Sequence, residues 1–326
     1  MARIDVFNGD ADGICALRQL RLANPVESRL VTGLKHEVML LDQVRAAPGD
    51  VVTVLDVSLD CNRDALMRLL EGGVAVRYFD HHYAGDVPCH PRLQAHIDPS
   101  GEACTSELVD RYLGGRFRAW AVAGAFGDGF HGAAARLARG LTLESGSLEG
   151  LREVGECLNY NAYGADVGDV LVPPEELYRR ASCYADPLEM LAKEPALARL
   201  AEERRADMQR AAAVAPLRSA CASEVHRLPD AMWARRVMGA FANRRALDDP
   251  HRAHAVVVPL PGGGFTVSVR APRAPAPSAA DFCRRFPTGG GRVTAAGVAH
   301  LDQAALADFL DAFEATYTPV PRAASA

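Results

Sequence analysis

Residues 74–82 have the sequence Val-Ala-Val-Arg-Tyr-Phe-Asp-His-His, an apolar run that ends in one acid and two histidines. The run predicts a buried β-strand because it is short, rich in β-branched and aromatic residues, and preceded by the turn Gly72-Gly73. A helical stretch ending at Glu71 separates it from Asp56, which is about the length of one strand–helix–strand crossover. Such crossovers are right-handed, so we expect Asp56 and Asp80 at the same carboxyl edge of a parallel sheet.

Further acids are predicted to end strands at this edge. Asp10 and Asp12 follow the apolar run Ile4–Phe7 in a glycine-bearing turn, Asp56 follows another apolar run, and Asp128 lies in Phe-Gly-Asp-Gly and is interpreted as a strand-end acid. One Asp-x-Asp-x-Gly turn is a weak indication, because turns favour Asp and Gly anyway. The set is informative because carboxylates at several strand ends of one sheet crowd into a small volume.

Crowded carboxylates need cations. At an effective dielectric of about 20, two unit charges 4 Å apart repel by roughly 4 kcal/mol, a large part of a domain's stability. Oxygen ligands with one imidazole suit Mn²⁺ or Mg²⁺. Two such ions about 3.5–4 Å apart generate a hydroxide and neutralise the oxygens of an in-line phosphoryl displacement. The residues therefore indicate a two-metal phosphoesterase centre.

Each residue of this centre has an expected role. Asp80 is predicted to orient a histidine, because ligating imidazoles need a partner for their second nitrogen. His82 is predicted to donate to the scissile phosphate or the leaving oxygen. The alternative is a helix-capping Asp followed by two surface histidines. The expected metal ligands are Asp56 as the bridge, Asp10 on one ion, and Asp12, His81 and Asp128 on the other.

Composition limits the class of protein. The chain has 326 residues, 49% of them apolar, which predicts two domains. No apolar run approaches the roughly 18 residues of a membrane span, and Met1 leads almost directly into a strand, so we expect a cytoplasmic protein. Eight cysteines without a Cys-x-x-Cys pair predict neither a disulfide framework nor a thiolate zinc site.

Charge is unevenly distributed along the chain. The net charge of −5 opposes strong binding to duplex DNA. Residues 1–218 carry a net charge of −8, whereas residues 219–326 carry +3 and all twelve of their basic residues are Arg. An acidic part that holds cations beside an Arg-bearing part that holds phosphates suits an anionic substrate. The alternative is compositional, since the whole chain has 34 Arg and only 2 Lys.

We predict an α/β fold in which a parallel-sheet catalytic domain is joined by a helical linker to a smaller α+β substrate-binding domain. The chain from Thr105 to about residue 190 is predicted to be mostly helical, with Thr105 or Ser106 capping the first helix. A long helix is expected from Glu194 to Ala215, and a hairpin from Ala253 to Arg270. The predicted boundaries are 1–190 for the catalytic domain, 191–218 for the linker, 219–318 for the second domain and 319–326 for a disordered tail.

The motifs resemble those of the DHH phosphoesterase superfamily, in order along the chain. Residues 8–13 are similar to its first motif, Asp56 to its second, Asp80-His81-His82 to its third and Gly127-Asp128 to its fourth. The segment 289–297, Gly-Gly-Gly-Arg-Val-Thr-Ala-Ala-Gly, resembles the glycine-rich signature of the associated substrate-binding domain. The resemblance covers almost the whole chain and implies Mn²⁺-dependent hydrolysis of phosphodiester or phosphoanhydride bonds in a cleft between two domains.

The resemblance also points to substrate-binding residues and to two departures. Arg270 is similar in position to a phosphate-binding Arg of that domain, and the amides of Gly289, Gly290 and Gly291 are predicted to bind an anion beside it. Many small-substrate members have a His where this chain has Val6, which predicts a more weakly bound ion. The signature usually ends in His where this chain has Arg292, which can still grip a phosphate through its planar fork.

The predicted substrate is a short single-stranded oligonucleotide or a small nucleotide, since an aromatic content of 6% offers few stacking platforms for a long strand. Inorganic polyphosphate or pyrophosphate is one alternative. A binding protein without catalytic activity is another, because Val6 and Arg292 depart from the residues usual at these positions. The sequence leaves a homodimer possible.

Overall fold

The chain divides into two compact units, the first from Met1 to Glu203 and the second from Arg204 onward. This computed structural model describes residues 1–272 and 276–318. The division falls inside the stretch 191–218, which is predicted to be a linker. The predicted tail, 319–326, lies outside the described residues.

A sheet of five parallel strands forms the centre of the first unit, which confirms the α/β prediction. The sequence pattern does not predict the fifth strand, because it is a partly exposed edge strand with only three apolar residues. The spatial order is 2-1-3-4-5. The strands are β1 (Arg3–Asn8), β2 (Arg29–Gly33), β3 (Val51–Leu55), β4 (Ala75–Asp80) and β5 (Leu93–Ile97).

The order of these strands determines where a site can form. The chain passes from β1 outward to β2 and then returns to β3 on the other side of β1. In open α/β sheets, ligands bind outside the carboxyl ends of the strands at such a reversal. Asp10 follows β1, Asp56 follows β3, and Asp80 ends β4, whose Phe79 pairs with Leu55 of β3. The predicted convergence of these three acids on one sheet edge is thus observed.

Helices make up most of the rest of the first unit, and the last of them continues past Glu203 into the second unit. The prediction of a mostly helical chain from Thr105 to about residue 190 is confirmed, and the expected helix from Glu194 to Ala215 is observed as Pro195–Ala212. The helices are α1 (Ala11–Ala23), α2 (Arg63–Glu71), α3 (Thr105–Tyr112), α4 (Arg118–Gly127), α5 (His131–Ala138), α6 (Ser147–Tyr160), α7 (Pro174–Ala181), α8 (Pro187–Lys193) and α9 (Pro195–Ala212). Short 3-10 turns lie at Leu40–Gln43, Asp60–Asn62 and Val167–Asp169.

Asp128 does not end a strand, so that part of the prediction is wrong. It is the residue directly after α4, and its backbone N–H donates to Gly124 of that helix. The preceding sequence is rich in alanine, which favours helix over strand, and its side chains are buried. Asp128 therefore reaches the sheet edge from a helix end rather than from a strand.

Two glycines allow α4 and α6 to pack closely enough to position Asp128. A Cβ on Gly155 of α6 would collide with the carbonyl oxygen of Ala123 and would lie 2.8 Å from the backbone nitrogen of Gly127. A Cβ on Gly127 would in turn collide with Ala11, at the start of α1, and with the carbonyl oxygen of Gly155. In both cases the atoms in the way include backbone atoms, so no side-chain rotation can make room for the added Cβ.

The second unit contains a mixed six-stranded sheet in the order 10-11-9-8-7-6. The predicted hairpin is confirmed as the antiparallel pair β8–β9. The sequence pattern does not predict the strand Ser223–Arg227 or the helix Met232–Asp248. That helix has no one-sided apolar stripe and buries Arg235 and Arg236. The elements are β6 (Arg218–Ser219), β7 (Ser223–Arg227), α10 (Met232–Asp248), β8 (Ala253–Pro259), β9 (Phe265–Arg270), α11 (Ala279–Cys283), β10 (Gly289–Gly291), β11 (Ala295–Leu301), a 3-10 turn (Gln303–Ala305) and α12 (Leu306–Tyr317).

Each unit contains hydrophobic clusters formed by its own residues. In the first, apolar residues of β1, β3 and β4 pack against α2, and a second cluster lies around α4 and α5. In the second, β8, β9 and β11 pack against phenylalanines of α11 and α12. Among the helices of residues 1–272 and 276–318, none combines the length and the apolar character that a bilayer crossing requires.

The substitution Gly155→Ala tests the helix contact that positions Asp128. We expect it to lower the free energy of unfolding by about 1–3 kcal/mol, because the added methyl group overpacks a contact between two backbones. Chemical denaturation measures this. Gly132→Ala in α5 is the control, since a Cβ there meets open space, and it should be neutral or stabilising by up to about 1 kcal/mol. Equal stability of the two variants would contradict the assignment.

Candidate metal centre

Asp10 lies at the N-terminus of α1, and its two carboxylate oxygens accept hydrogen bonds from different groups. Its Oδ1 accepts hydrogen bonds from the backbone N–H groups of Asp12 at 3.0 Å and Gly13 at 3.1 Å, which makes it the N-cap of the helix. Its Oδ2 accepts a hydrogen bond from the ammonium group of Lys35. The side chain is 1% exposed. A negative charge at this helix N-terminus is favourable.

Asp12 joins α1 to a second helix. Its two carboxylate oxygens accept the backbone N–H groups of Thr105 at 2.7 Å and Ser106 at 2.8 Å, the first two residues of α3. The N-cap residue itself, Cys104, makes no capping hydrogen bond through its side chain. The prediction that Thr105 or Ser106 caps this helix is therefore wrong, because an acid 93 residues earlier in the sequence satisfies the exposed amides.

Asp56 has a left-handed backbone conformation, with a φ of 59°. Asp and Asn tolerate this region better than other residues with a Cβ. Its N–H donates to the carbonyl oxygen of Phe79 at 3.0 Å, which ties the loop after β3 to β4. Its Oδ1 accepts from the hydroxyl of Thr105 at 3.2 Å. The carboxylate is thus turned into the centre and held there.

His81 lies at the middle of the acids. Its Nε2 is 3.3 Å from Oδ1 of Asp56, 3.6 Å from Oδ2 of Asp128 and 4.0 Å from Oδ2 of Asp12. Burial alone would lower the pKa of His81, but the hydrogen bond to Asp56 and the charges of the three acids raise it to about 10. Without a metal ion, His81 is accordingly protonated and acts as one of the cations of the cluster.

The closeness of the buried carboxylates also shifts their own pKa values. Burial and then the charge of Asp56 raise the pKa of Asp12 to about 6, although the charge of His81 opposes the rise. Burial and the charge of Asp10 also raise the pKa of Asp56. Both shifts express the energetic cost of bringing these carboxylates together, and a bound cation would reverse them.

Asp80 contacts the second histidine of the motif. Its Oδ1 is 2.7 Å from Nδ1 of His82, and its side chain is fully buried. Burial lowers the pKa of His82, but the hydrogen bond to Asp80 and its charge outweigh that effect and raise it. The imidazole of His82 remains 44% exposed. Asp80 therefore both orients this ring and favours its protonated form.

Two overlapping groups of side chains can each hold a metal ion: Asp56 with His81 and His82, and Asp12 with His81 and Asp128. The ligand atoms of each group lie within 4.8 Å of one another. Two ligands that are each about 2.0–2.2 Å from one ion are separated by at most about 4.4 Å, so small side-chain rotations suffice. Carboxylate oxygens with imidazole fit Mn²⁺ or Mg²⁺. Asp10, a predicted ligand, belongs to neither group.

Lys35 is absent from the predicted site residues, and the structure brings it into the centre. Its Nζ donates to Asp10, to Oδ1 of Asp128 at 2.7 Å and to Oδ1 of Asn159 at 3.3 Å. A signal was available in the sequence: Lys35 is one of only two lysines, and it follows the predicted second strand at the same sheet edge. The direction of that strand alone makes it a candidate for this edge.

These side chains surround a pocket of about 110 Å³. This volume suits a phosphoryl group and its ions rather than a whole nucleotide, since pockets for larger ligands measure about 300–1,000 Å³. The pocket is lined by Asn8, Asp10, Lys35, Glu37, Val38, Asp56, Val57, Ser58, His81, His82 and Asp128.

The predicted substrate-binding residues lie in the second unit. Arg270 ends β9 and pairs with Ala295 of β11, whose carbonyl oxygen accepts the backbone N–H of Arg292. The two arginines therefore lie at one end of the sheet. Gly289–Gly291 form the edge strand β10, and the N–H of Gly289 donates to the carbonyl oxygen of Phe286. The guanidinium of Arg270 also donates to Asn243 at 2.5 Å and to Ser268 at 2.9 Å.

Solved structures with this fold are known. RecJ from Thermus thermophilus, in complex with Mn²⁺, matches with a TM-score of 0.63 and 20% identity over 98% of this chain and 52% of that one. An exonuclease RecJ bound to manganese matches with a TM-score of 0.54 and 22% identity over 98% and 91%. The pGpG-specific phosphodiesterase PggH from Vibrio cholerae matches with 0.50 and 13% over 95% and 96%.

This chain spans about half the length of the Thermus thermophilus RecJ. No protein-family model and no curated protein sequence matches it. At these identities the likeness concerns the fold, and it agrees with the resemblance that the motif residues carry in order along the sequence. The chain therefore has the fold of the DHH phosphoesterases, as its motifs predict.

Proposed function

We propose that this chain is a divalent-metal-dependent phosphohydrolase that acts on phosphodiester or phosphate-ester bonds of short single-stranded oligonucleotides or small nucleotides. The observation that carries the proposal is the cluster of potential metal ligands formed by Asp12, Asp56, His81 and Asp128, which come from four separate segments of the chain. The natural ion is expected to be Mn²⁺, with Mg²⁺ as a possible substitute, since the donors are hard oxygens and imidazole.

Each side chain has a role in this proposal. Asp12, Asp56, His81 and Asp128 would hold the metal, which would supply a hydroxide nucleophile and neutralise phosphoryl oxygens. Asp80 holds the ring of His82 through Nδ1. The protonated ring then presents Nε2–H as a donor to the scissile phosphate or to the leaving oxygen.

Two observations favour a small substrate that carries a base. The pocket of about 110 Å³ admits a phosphoryl group, so the remainder of the substrate must lie outside it. Tyr83, directly after the histidines, is 74% exposed, and its ring can serve as a stacking face for one base. A single platform of this kind suits a dinucleotide or nucleotide better than a long strand.

The second unit contributes phosphate-binding residues in this proposal. Arg270 and Arg292 lie at one end of the sheet, and their guanidinium groups can bind phosphate oxygens bidentately. The same pair supports the alternative of a polyphosphatase or pyrophosphatase, because phosphate recognition by arginine needs no base. A substrate panel separates these activities.

The panel consists of a dinucleotide, 3′-phosphoadenosine-5′-phosphate, a cyclic dinucleotide and polyphosphate, each assayed with Mn²⁺. We expect turnover of at least one nucleotide substrate, and loss of at least about 100-fold in kcat in Asp56→Asn, because one charged active-site group often contributes that much. Asn accepts the left-handed backbone of Asp56, so the variant removes charge without straining the loop.

Asp60→Asn is the matched control for this variant. Asp60 lies four residues further along the chain, is 48% exposed and pairs with Arg63, so its loss should leave turnover unchanged. Hydrolysis of polyphosphate alone would support the polyphosphatase instead. Ligand binding without turnover by the native protein or its variants would mean that this chain is a binding protein without catalytic activity.

Arg292→Ala should separate substrate binding from chemistry. We expect KM to rise while kcat changes little, because the variant removes a substrate contact and leaves the metal ligands in place. Arg284→Ala is the control, since Arg284 is 60% exposed and pairs with Asp281. A fall in kcat as large as that of Asp56→Asn would contradict this division of roles.

Metal binding should depend on pH. The pKa of His81 is raised to about 10 and that of Asp12 to about 6, so metal must displace at least one proton near neutrality. Because proton loss becomes easier as pH rises, the Kd for Mn²⁺ should fall by about tenfold per pH unit between about pH 6 and 8. Calorimetric titration in buffers of different ionisation enthalpy measures both affinity and proton release. A pH-independent Kd with no proton release would contradict the expectation.

A further inference from the structure

Lys35 places a positive charge among the acids of the metal centre. An ammonium group has three N–H donors, and three oxygens from three separate elements accept them. The acceptors are Oδ2 of Asp10, Oδ1 of Asp128 and Oδ1 of Asn159. Every donor of the group is thus matched to an oxygen, so the cation is held in one defined place.

The backbone and surroundings of Lys35 hold it there. Its N–H donates to the carbonyl oxygen of Ala162 at 3.1 Å, and its ammonium lies 5.8 Å from the ring centre of Tyr163. Both residues lie just beyond α6. The side chain is only 26% exposed. A lysine with this many fixed partners is unlike the only other one in the chain, Lys193, which is 65% exposed and pairs with Glu189 on the same helix.

The two sides of the centre therefore differ. Around His81, three acids lie 3.3–4.0 Å from its Nε2, and the imidazole is the group that they share. At Asp10, an ammonium group is already in place, because Lys35 donates to one carboxylate oxygen while the start of α1 donates to the other. Asp10 belongs to neither group of potential ligands.

We propose that Lys35 is a resident cation of the metal centre. This inference rests on the metal centre of the proposed function and adds an asymmetry to it. One divalent ion binds tightly beside His81, whereas a second binds at Asp10 only by displacing the ammonium of Lys35 from Asp10 and Asp128. Lys35 thereby sets the metal concentration at which both positions fill, and while it stays in place its ammonium supplies positive charge next to the phosphoryl pocket.

The test is a calorimetric Mn²⁺ titration of the full chain and of Lys35→Met, which removes the charge and keeps an unbranched side chain. In the native protein, we expect the second ion to bind about tenfold or more weakly than the first, because it must break charge-assisted hydrogen bonds. In Lys35→Met, the second ion should bind at least about tenfold more tightly than in the native protein. Lys193→Met is the matched control and should not differ from the native protein.

A second variant keeps the test informative if Lys35→Met does not fold. Asp10→Asn retains the cap of α1, since Asn is as good an N-cap as Asp. We expect it to lose the weak ion and to keep the tight one with a Kd within about threefold of the native value. Loss of the tight ion would overturn the inference, because Asp10 would then be one of its ligands.

The remaining outcomes separate this inference from the function on which it rests. Two ions bound with the same affinities in the native protein and in Lys35→Met would overturn the role of Lys35 and leave the metal centre standing. No Mn²⁺ binding by either protein would overturn the metal centre itself, and the inference with it.

Discussion

The repulsion between carboxylates at one edge of a parallel sheet is the constraint on which this structure depends. Asp10, Asp12, Asp56 and Asp128 converge there, three of them almost fully buried, and the pKa of Asp12 rises to about 6 as a result. Two unit charges 4 Å apart repel by roughly 4 kcal/mol at an effective dielectric of about 20. A fold that concentrates acids in this way must supply positive charge or take it up from solution.

The chain supplies part of that charge from its own groups. The imidazolium of His81 lies between three acids, and the ammonium of Lys35 joins two. Helix N-termini add to this, since Asp10 accepts the first amides of α1 and Asp12 those of α3. The acids therefore hold the helices in place, and the helices hold the acids.

This mutual dependence connects stability with chemistry. Asp12 both caps α3 and belongs to a potential ligand group, so a change in its charge acts on the fold as well as on the centre. Asp56 has a left-handed backbone that few residues adopt without strain, and its loop is tied to β4 by a hydrogen bond to Phe79. The residues best suited to chemistry are thus also those whose backbone is most constrained.

The sequence alone determined the class of fold, the sheet edge and most of the acids at it, because apolar runs define strands and parallel strands share one carboxyl edge. It did not determine that Asp12 caps α3 or that Lys35 binds Asp128. Both are contacts across 93 residues. Local patterns describe neighbours along the chain, whereas such pairs arise only when helix packing brings distant segments together.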